Sequence, residues 1–274
     1  MMSGSWTLTS EHLLISILTM IYRNYQDNMY TKNYQATKFG EGQVTVSYPV
    51  AVEDTIDLFV NRVHMAAILA TPEMLDELAR GYLICEGIVK SRREIKDIHI
   101  DERTIHVEIE PSEHIELWRE LRSSGCVGVR WNEFESVCVG SDAVFNRNAI
   151  NKSLMFLESD IYKKTHGTHA ACLVNNMGEC VVKAVDVGRH NAVDKVVGRA
   201  CIEDIDLSRH FLLSSGRQSA GMVMKAARAG IPLVATKTAP LNTGVEAAER
   251  SGVCLVCFVS NDKLSVFTHP ERLS

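Results

Sequence analysis

From about residue 151 onward the chain predicts an α/β layer fold with a largely parallel or mixed sheet, and residues before it predict a smaller α+β unit. Three features lead there. Apolar runs of strand length alternate with helical patterns through the second half. In the first half, strand-like runs at 44–70 and 95–109 enclose one helix. Finally, three strand-to-helix junctions in the second half share one design.

VTVSYPVAV, from Val44, is followed by TIDLFVN and VHMAAILA, separated by short polar breaks as short strands are. Thr71-Pro72-Glu73 is a helix-start signal, because Thr caps and Pro fits the first turn. The helix after it sets Leu75, Leu78, Ala79, Tyr82 and Leu83 on one face and stops near Gly87. Strands are expected at 95–100 and 103–109, and Pro111 ends the second. Residues 1–35 read as an N-terminal extension, 36–110 as the α+β domain, and 111–150 as a linker with a mobile cysteine loop. Residues 151–274 form the α/β domain. Its expected elements are a helix at 151–163, strands at 170–175 and 180–187, and a helix at 190–202. Strand 210–214, helix 218–229, strand 232–236, helix 243–251 and strands 253–259 and 264–268 complete it.

The net charge of −5 provides no general basic field, so nucleic acid is not an expected partner and any anionic ligand needs a local cluster of donors. Leu13–Ile21 is apolar but too short to span a bilayer, has no Lys or Arg before it and no cleavage pattern after it. Neither a membrane anchor nor a secretory signal is therefore expected. Eight cysteines at irregular spacing fit free thiols in a reducing compartment, the cytoplasm.

The three junctions are Asp186-Val187-Gly188-Arg189-His190-Asn191, Ser214-Ser215-Gly216-Arg217-Gln218-Ser219, and 237–244, KTAPLNTG. Each joins a helix N-terminus with free N–H groups to hydroxyl or amide donors and a cation, which is how a fold holds phosphate without a basic surface. Taken singly, such residues are ordinary helix caps; three at one sheet edge favour an anionic ligand. Arg189, His190, Asn191, Ser215 and Arg217 are the candidates. His169 joins them, because Gly167 beside it allows close backbone approach ahead of the strand AACLV. Neither a Walker pattern nor a G-x-G-x-x-G occurs.

Among the thiols, Cys126 is the candidate nucleophile. It sits in the Gly- and Ser-rich stretch 123–128, with Arg122 and Arg130 near in sequence, and cations raise the thiolate fraction. Cys85, Cys172, Cys201, Cys254 and Cys257 lie in apolar contexts and read as inert. Cys254 and Cys257 form a C-x-x-C, but on a strand their side chains point to opposite faces.

Several blocks, TPEMLDELARGYLICEGIV (71–89), GTHAA (167–171), DVGRHNAVDK (186–195), SGRQSAGMVMKAARAGIP (215–232) and THPERL (268–273), resemble the FdhD/NarQ family of formate dehydrogenase accessory sulfurtransferases. The resemblance implies a homodimer whose C-terminal domain has a cytidine-deaminase-like, three-layer α/β fold with a mixed sheet. It also implies a sulfur carrier. Such a protein accepts persulfide sulfur from a cysteine desulfurase and transfers it to the molybdenum cofactor, bound as substrate in its bis-molybdopterin guanine dinucleotide form. The cofactor then enters formate dehydrogenase, whose activity requires the carrier; no permanent metal is implied. The family's loop holds a C-G-V-C element whose first cysteine, the persulfide carrier, falls on Cys126. Val129 stands at the second cysteine. One thiol suffices for persulfide transfer, and a resolving partner would have to be another cysteine, such as Cys138. The family's nucleotide-contacting stretch falls on Phe258, Val259, Ser260, Asn261, Asp262 and Lys263, with Phe258 placed to stack on guanine and Lys263 to pair with phosphate.

Two other readings compete. A zinc deaminase needs H-x-E and P-C-x-x-C; here Ala170 and Ala171 follow His169, and Val253 precedes Cys254. The other is a chaperone that binds the cofactor without sulfur chemistry.

Overall fold

The computed structural model describes residues 30–110 and 137–274. Strands β1 (Thr31–Phe39) and β2 (Gln43–Ala51) form an antiparallel hairpin in which Tyr34 faces Tyr48. Residues 31–35 therefore belong to a strand and not to an N-terminal extension. Almost every side chain of β1 is exposed, so no buried face imprinted a period of two on the sequence.

Strands β3 (Asp54–Val60), β4 (Val63–Ala70), β5 (Ile95–Asp101) and β6 (Thr104–Ile109) make a four-stranded sheet in the order β4-β3-β6-β5. Its inward residues, Ile56, Leu58, Val60, Ile105, Val107 and Ile109, share a core with Leu78, Tyr82 and Leu83 of helix α1 (Leu75–Cys85). The helix starts after Met74, which is in the left-handed region. Thr71 does not cap it. Buried Thr71 instead reaches the second half: its N–H donates to Asp186 Oδ2 at 3.1 Å, and its Oγ1 accepts the Val187 N–H at 3.2 Å.

The second half is built on six strands, β7 (His169–Asn175), β8 (Cys180–Asp186), β9 (His210–Ser214), β10 (Leu233–Thr236), β11 (Cys254–Cys257) and β12 (Ser265–Val266), in the order β12-β11-β10-β9-β7-β8. The sheet is mixed: β9, β10 and β11 are parallel, and β7, β8 and β12 pair antiparallel. Helices are α2 (Arg147–Ser153), α3 (Asp160–Thr165), α4 (Arg189–Ile202), α5 (Ala220–Arg228) and α6 (Asn242–Ser251). Leu173, Leu212, Val234 and Leu255 join the core built with α4, α5 and α6. On the opposite face Cys172, Phe211, Leu213 and Val256 pack with Phe145, Ile150 and Leu157.

Two expected boundaries move. The helix expected at 151–163 is α2, a 3-10 turn at Leu154–Leu157, and α3, because Ser159 caps a new helix by accepting the Tyr162 N–H. The linker expected to run to residue 150 is over by Phe145, which is fully buried edge-to-face on Phe211 at 5.5 Å.

The two halves share one continuous hydrophobic core, and its seam is the α1–α4 helix pair. A Cβ at Gly81 would lie 1.7 Å from the Asp194 carbonyl oxygen, and one at Gly198 would lie 1.8 Å from that of Glu77. The two glycines stand one turn apart across antiparallel helices, so the backbones touch where any side chain would hold them apart. Beside them the buried Asp186 carboxylate is met by four donors. Oδ1 accepts from Gly188 N at 2.8 Å and Asn191 Nδ2 at 2.9 Å; Oδ2 accepts from Thr71 N and, at 2.5 Å, from Lys195 Nζ. Lys195 also donates to the Thr71 carbonyl at 2.9 Å. A buried charge is tolerable when paired and hydrogen-bonded in this way.

A third element joins through Lys225 of α5. Its ammonium contacts Asp194 at 2.8 and 2.9 Å and Glu86 at 2.8 Å. Burial pushes the Asp194 carboxyl up to about 6 against the pull of Lys225. Burial opposes the Lys225 charge, but Asp194 and Glu86 outweigh it and hold the ammonium above its ordinary range.

Candidate functional site

Strand direction brings the junctions together. β8 is antiparallel to β7, and β7 to β9, so β8, β9, β10 and β11 all end at one edge of the sheet, where β7 begins. The register aligns them: His169 pairs with Asp186, Ala171 with Ser214, Ser214 with Thr236, and Ala235 with Val256. Helices α4, α5 and α6 start just beyond, so their free N–H groups belong to the same edge.

The edge is stitched by side chains. Ser215 Oγ accepts the Ala170 N–H at 3.0 Å and lies 3.1 Å from His169 Nδ1. The Gly216 carbonyl accepts from Gln218 Nε2 and from Thr236 Oγ1, each at 2.9 Å. The Arg189 stem lies across Gly216; a Cβ there would meet Arg189 Cδ at 2.7 Å and its Cβ at 2.9 Å. Phe258 N–H donates to the Thr238 carbonyl, and Val259 N–H to that of Thr236. Phe258 takes a left-handed backbone (φ 53°), leaves half its side chain exposed, and lies 6.2 Å from the Phe267 ring. An aromatic residue in that region is strained, as occurs where function holds it. The turn that follows closes by Ser260 N–H to the Lys263 carbonyl at 2.8 Å, and the Asn151 amide donates to the carbonyls of Ser260 and Lys263. Lys237 Nζ stands 5.8 Å from the Tyr162 ring centre.

Among the described residues, three buried side-chain polar atoms lack a hydrogen-bond partner: Thr168 Oγ1, Arg189 Nε and Gln218 Oε1. All three lie on segments of this edge. Buried polar groups are normally satisfied, so their gathering here marks where a ligand would supply the missing partners.

Charge is arranged to match. Burial, then the positive field of Arg189, lowers the His169 pKa. Burial, Lys225 and Arg189 together bring His190 down to about 4. Both shifts favour the neutral imidazole, and the cations at the edge include Arg189, exposed Arg217 and exposed Lys237.

The pattern of the FdhD/NarQ family matches residues 51–274. The chain belongs to the FdhD/NarQ family. Similar relatives include the sulfur carrier protein FdhD of Methanothermobacter thermautotrophicus, 36% identical over 208 residues, covering 74% of this chain and 83% of the relative. Another is the sulfur carrier protein FdhD of Sulfolobus acidocaldarius, 34% identical over 230 residues, covering 82% and 90%. A crystal structure of a candidate formate dehydrogenase accessory protein from Desulfotalea psychrophila superposes with a TM-score of 0.74 at 27% identity, covering 89% of this chain and all of that one.

In this FdhD/NarQ chain the edge brings together His169, Arg189, His190, Ser215, Arg217, Phe258 and the turn of Ser260, Asn261, Asp262 and Lys263. Two candidates are turned away. Val259 is buried at 3% exposure in the core. Asn191 is buried too, its amide donating to Leu69 O at 2.7 Å and to Asp186 at the seam. Cys126 lies outside the described residues. Cys138 sits 3.7 Å from a Cβ built on Gly252, at the start of β11 and so at the opposite edge of the sheet. Cys254 and Cys257 are buried on opposite faces, and burial pushes each thiol up to about 12. Sequence reasoning did not single out Thr168, Gly216, Gln218 or Thr236. Gly216 and Gln218 stand inside the second junction, which was the available signal; Thr168 and Thr236 look like ordinary strand-end hydroxyls.

Proposed function

We propose that this chain is a sulfur carrier that serves formate dehydrogenase, with the molybdenum cofactor in its bis-molybdopterin guanine dinucleotide form as bound substrate. The Cys126 thiolate attacks the outer sulfur of a cysteine desulfurase persulfide; the new S–S bond forms as the desulfurase thiolate leaves. The persulfide S–S bond then breaks with its electron pair leaving on the Cys126 thiolate, and the outer sulfur bonds to the cofactor, which supplies the electron pair of the new bond. The observation that carries the binding half of this reading is the strand edge, with its three partnerless polar atoms, its cations and the exposed, strained Phe258. Phe258 offers a face for guanine, and Arg217, Lys237 and Lys263 can take phosphate. The sulfur half rests on the relatives' function and on the setting of Cys126.

The cytidine-deaminase-like architecture that the family resemblance implies is supported by a mixed sheet covered on both faces. The likeness does not extend to zinc chemistry, because glutamate and proline are missing and the two strand thiols face opposite ways. A homodimer has a suitable surface in the β1–β2 hairpin, where Tyr34, Phe39, Val44, Tyr48 and Val50 are exposed; an isolated two-stranded hairpin is marginally stable in water. The compartment is the cytoplasm, which keeps carrier thiols reduced. No helix among the described residues is long and apolar enough to cross a membrane.

Val129 in place of a second loop cysteine favours one other reading, a cofactor chaperone without sulfur chemistry. Mass spectrometry after incubation with a desulfurase and cysteine separates the two. The carrier gains one sulfur atom, and Cys126→Ala does not. Cys126→Ala is also expected to fold normally and fail to support formate dehydrogenase activity. Full activity of that variant would leave the chaperone. For the ligand edge, Arg217→Ala is expected to weaken guanosine diphosphate binding by about 1–3 kcal/mol in calorimetry, and unchanged affinity would remove Arg217 from the site.

A further inference from the structure

His169 opens β7 at the strand edge, with part of its ring in solvent and Nδ1 3.1 Å from Ser215 Oγ. That hydroxyl already accepts the Ala170 N–H. Among the described residues, Nδ1 is the acceptor within reach of the Ser215 proton. Donation from Ser215 requires a lone pair on Nδ1, which places the ring proton of a neutral imidazole on Nε2. Arg189 comes to the same place from α4. Its stem crosses Gly216, next to the serine that holds the histidine, and its buried Nε has no partner. An imidazole N–H and a guanidinium N–H thus leave one short Ser215–Gly216 step, the guanidinium's buried and without an acceptor.

We propose that His169 is a neutral Nε2–H donor, locked in that tautomer by Ser215 as a positioning residue, and that with Arg189 it grips one anionic oxygen or sulfur of the bound ligand. The chemistry suits sulfur transfer. An imidazolium would tend to protonate a sulfur anion and quench it as a nucleophile, whereas a neutral N–H holds the anion by hydrogen bonding without delivering a proton. Burial and the neighbouring Arg189 favour the neutral form. This inference rests on the ligand-binding reading of the edge.

Two amide substitutions divide the ring's functions. The side-chain nitrogen of glutamine reaches the position of Nε2, and that of asparagine the position of Nδ1. With guanosine diphosphate as probe and the full chain in calorimetry, His169→Gln is expected to bind within about threefold of wild type. His169→Asn is expected to lose about tenfold or more, the scale of one charge-assisted hydrogen bond. The opposite order would make His169 a purely structural partner of Ser215 and overturn the proposal; so would equal loss in both variants or loss in neither. Nitrogen-15 NMR of histidine-labelled protein reads the tautomer directly. His169 should be protonated on Nε2 near neutral pH, with Ser215→Ala shifting it to a mixture. An Nδ1-protonated His169 in the wild type overturns the lock whatever the ligand does. Wild type that shows the expected tautomer yet fails to bind guanosine diphosphate would defeat the ligand reading and leave the tautomer lock standing.

Discussion

The α1–α4 seam and the strand edge both draw on the stretch 186–195, and differ in how completely their residues are satisfied. At the seam, Asp186 is met by four donors, Asn191 and Lys195 have two acceptors each, and a Cβ on Gly198 has nowhere to go. At the edge, Arg189 leaves Nε without a partner and His190 is held neutral beside other cations. A fully satisfied network rigidifies; an unsatisfied one awaits something. The stretch 186–195 is thus partly a bolt between the two halves and partly an edge with an unpartnered polar atom. A motif's specificity does not show which of its residues touch a ligand.

The contrast can be broken at several points. The largest effect is expected from Gly198→Ala, whose methyl would sit 1.8 Å from the Glu77 carbonyl. Neither backbone can yield without parting the helices, so a loss of about 3 kcal/mol or more is expected in urea denaturation. A loss of under ~1 kcal/mol, the scale of a mild core swap, would show that the seam is looser than its geometry.

Next comes the acid limb. His190 has a folded pKa depressed to about 4, below its ordinary 6.5, by burial, then Lys225 and Arg189. The unfolded chain takes up that proton first, so the stabilisation is whole above about pH 6.5 and drains away as pH falls towards 4. The loss is on the order of 3 kcal/mol. His190→Gln should flatten that limb in stability measured against pH, and identical limbs would place the acid sensitivity elsewhere. The smallest effect is on the edge's own glycine. Gly216→Ala pushes on the Arg189 stem, which can move, so its melting should stay near wild type. Guanosine diphosphate binding should fall by about 1–2 kcal/mol, as Arg189 leaves its place. A fall in stability matching Gly198→Ala would erase the distinction between edge and seam.

Much of this was legible beforehand, for a physical reason: burial imprints period on sequence. Strands β3, β4 and β6, helix α1 and the alternating elements of the second half were readable because one face of each is apolar. The edge was readable because hydroxyls, glycines and cations recur just after its strands. The thiols of Cys254 and Cys257 could be set aside because a strand's period is two. Strand β1 left no such imprint, since almost none of it is buried, whereas its partner β2 was readable as the run from Val44. The break between α2 and α3 depended on a local cap competing with an apolar run. The division of labour within 186–195 was invisible for a deeper reason. Lys195 meets the carbonyl of Thr71 from 124 positions away, Asp186 meets the Thr71 N–H from 115, and Gly198 meets Glu77 across the seam. Local periodicity records how far a side chain is buried; the partner it is buried against comes from the folded chain, where residues distant in sequence are brought into contact.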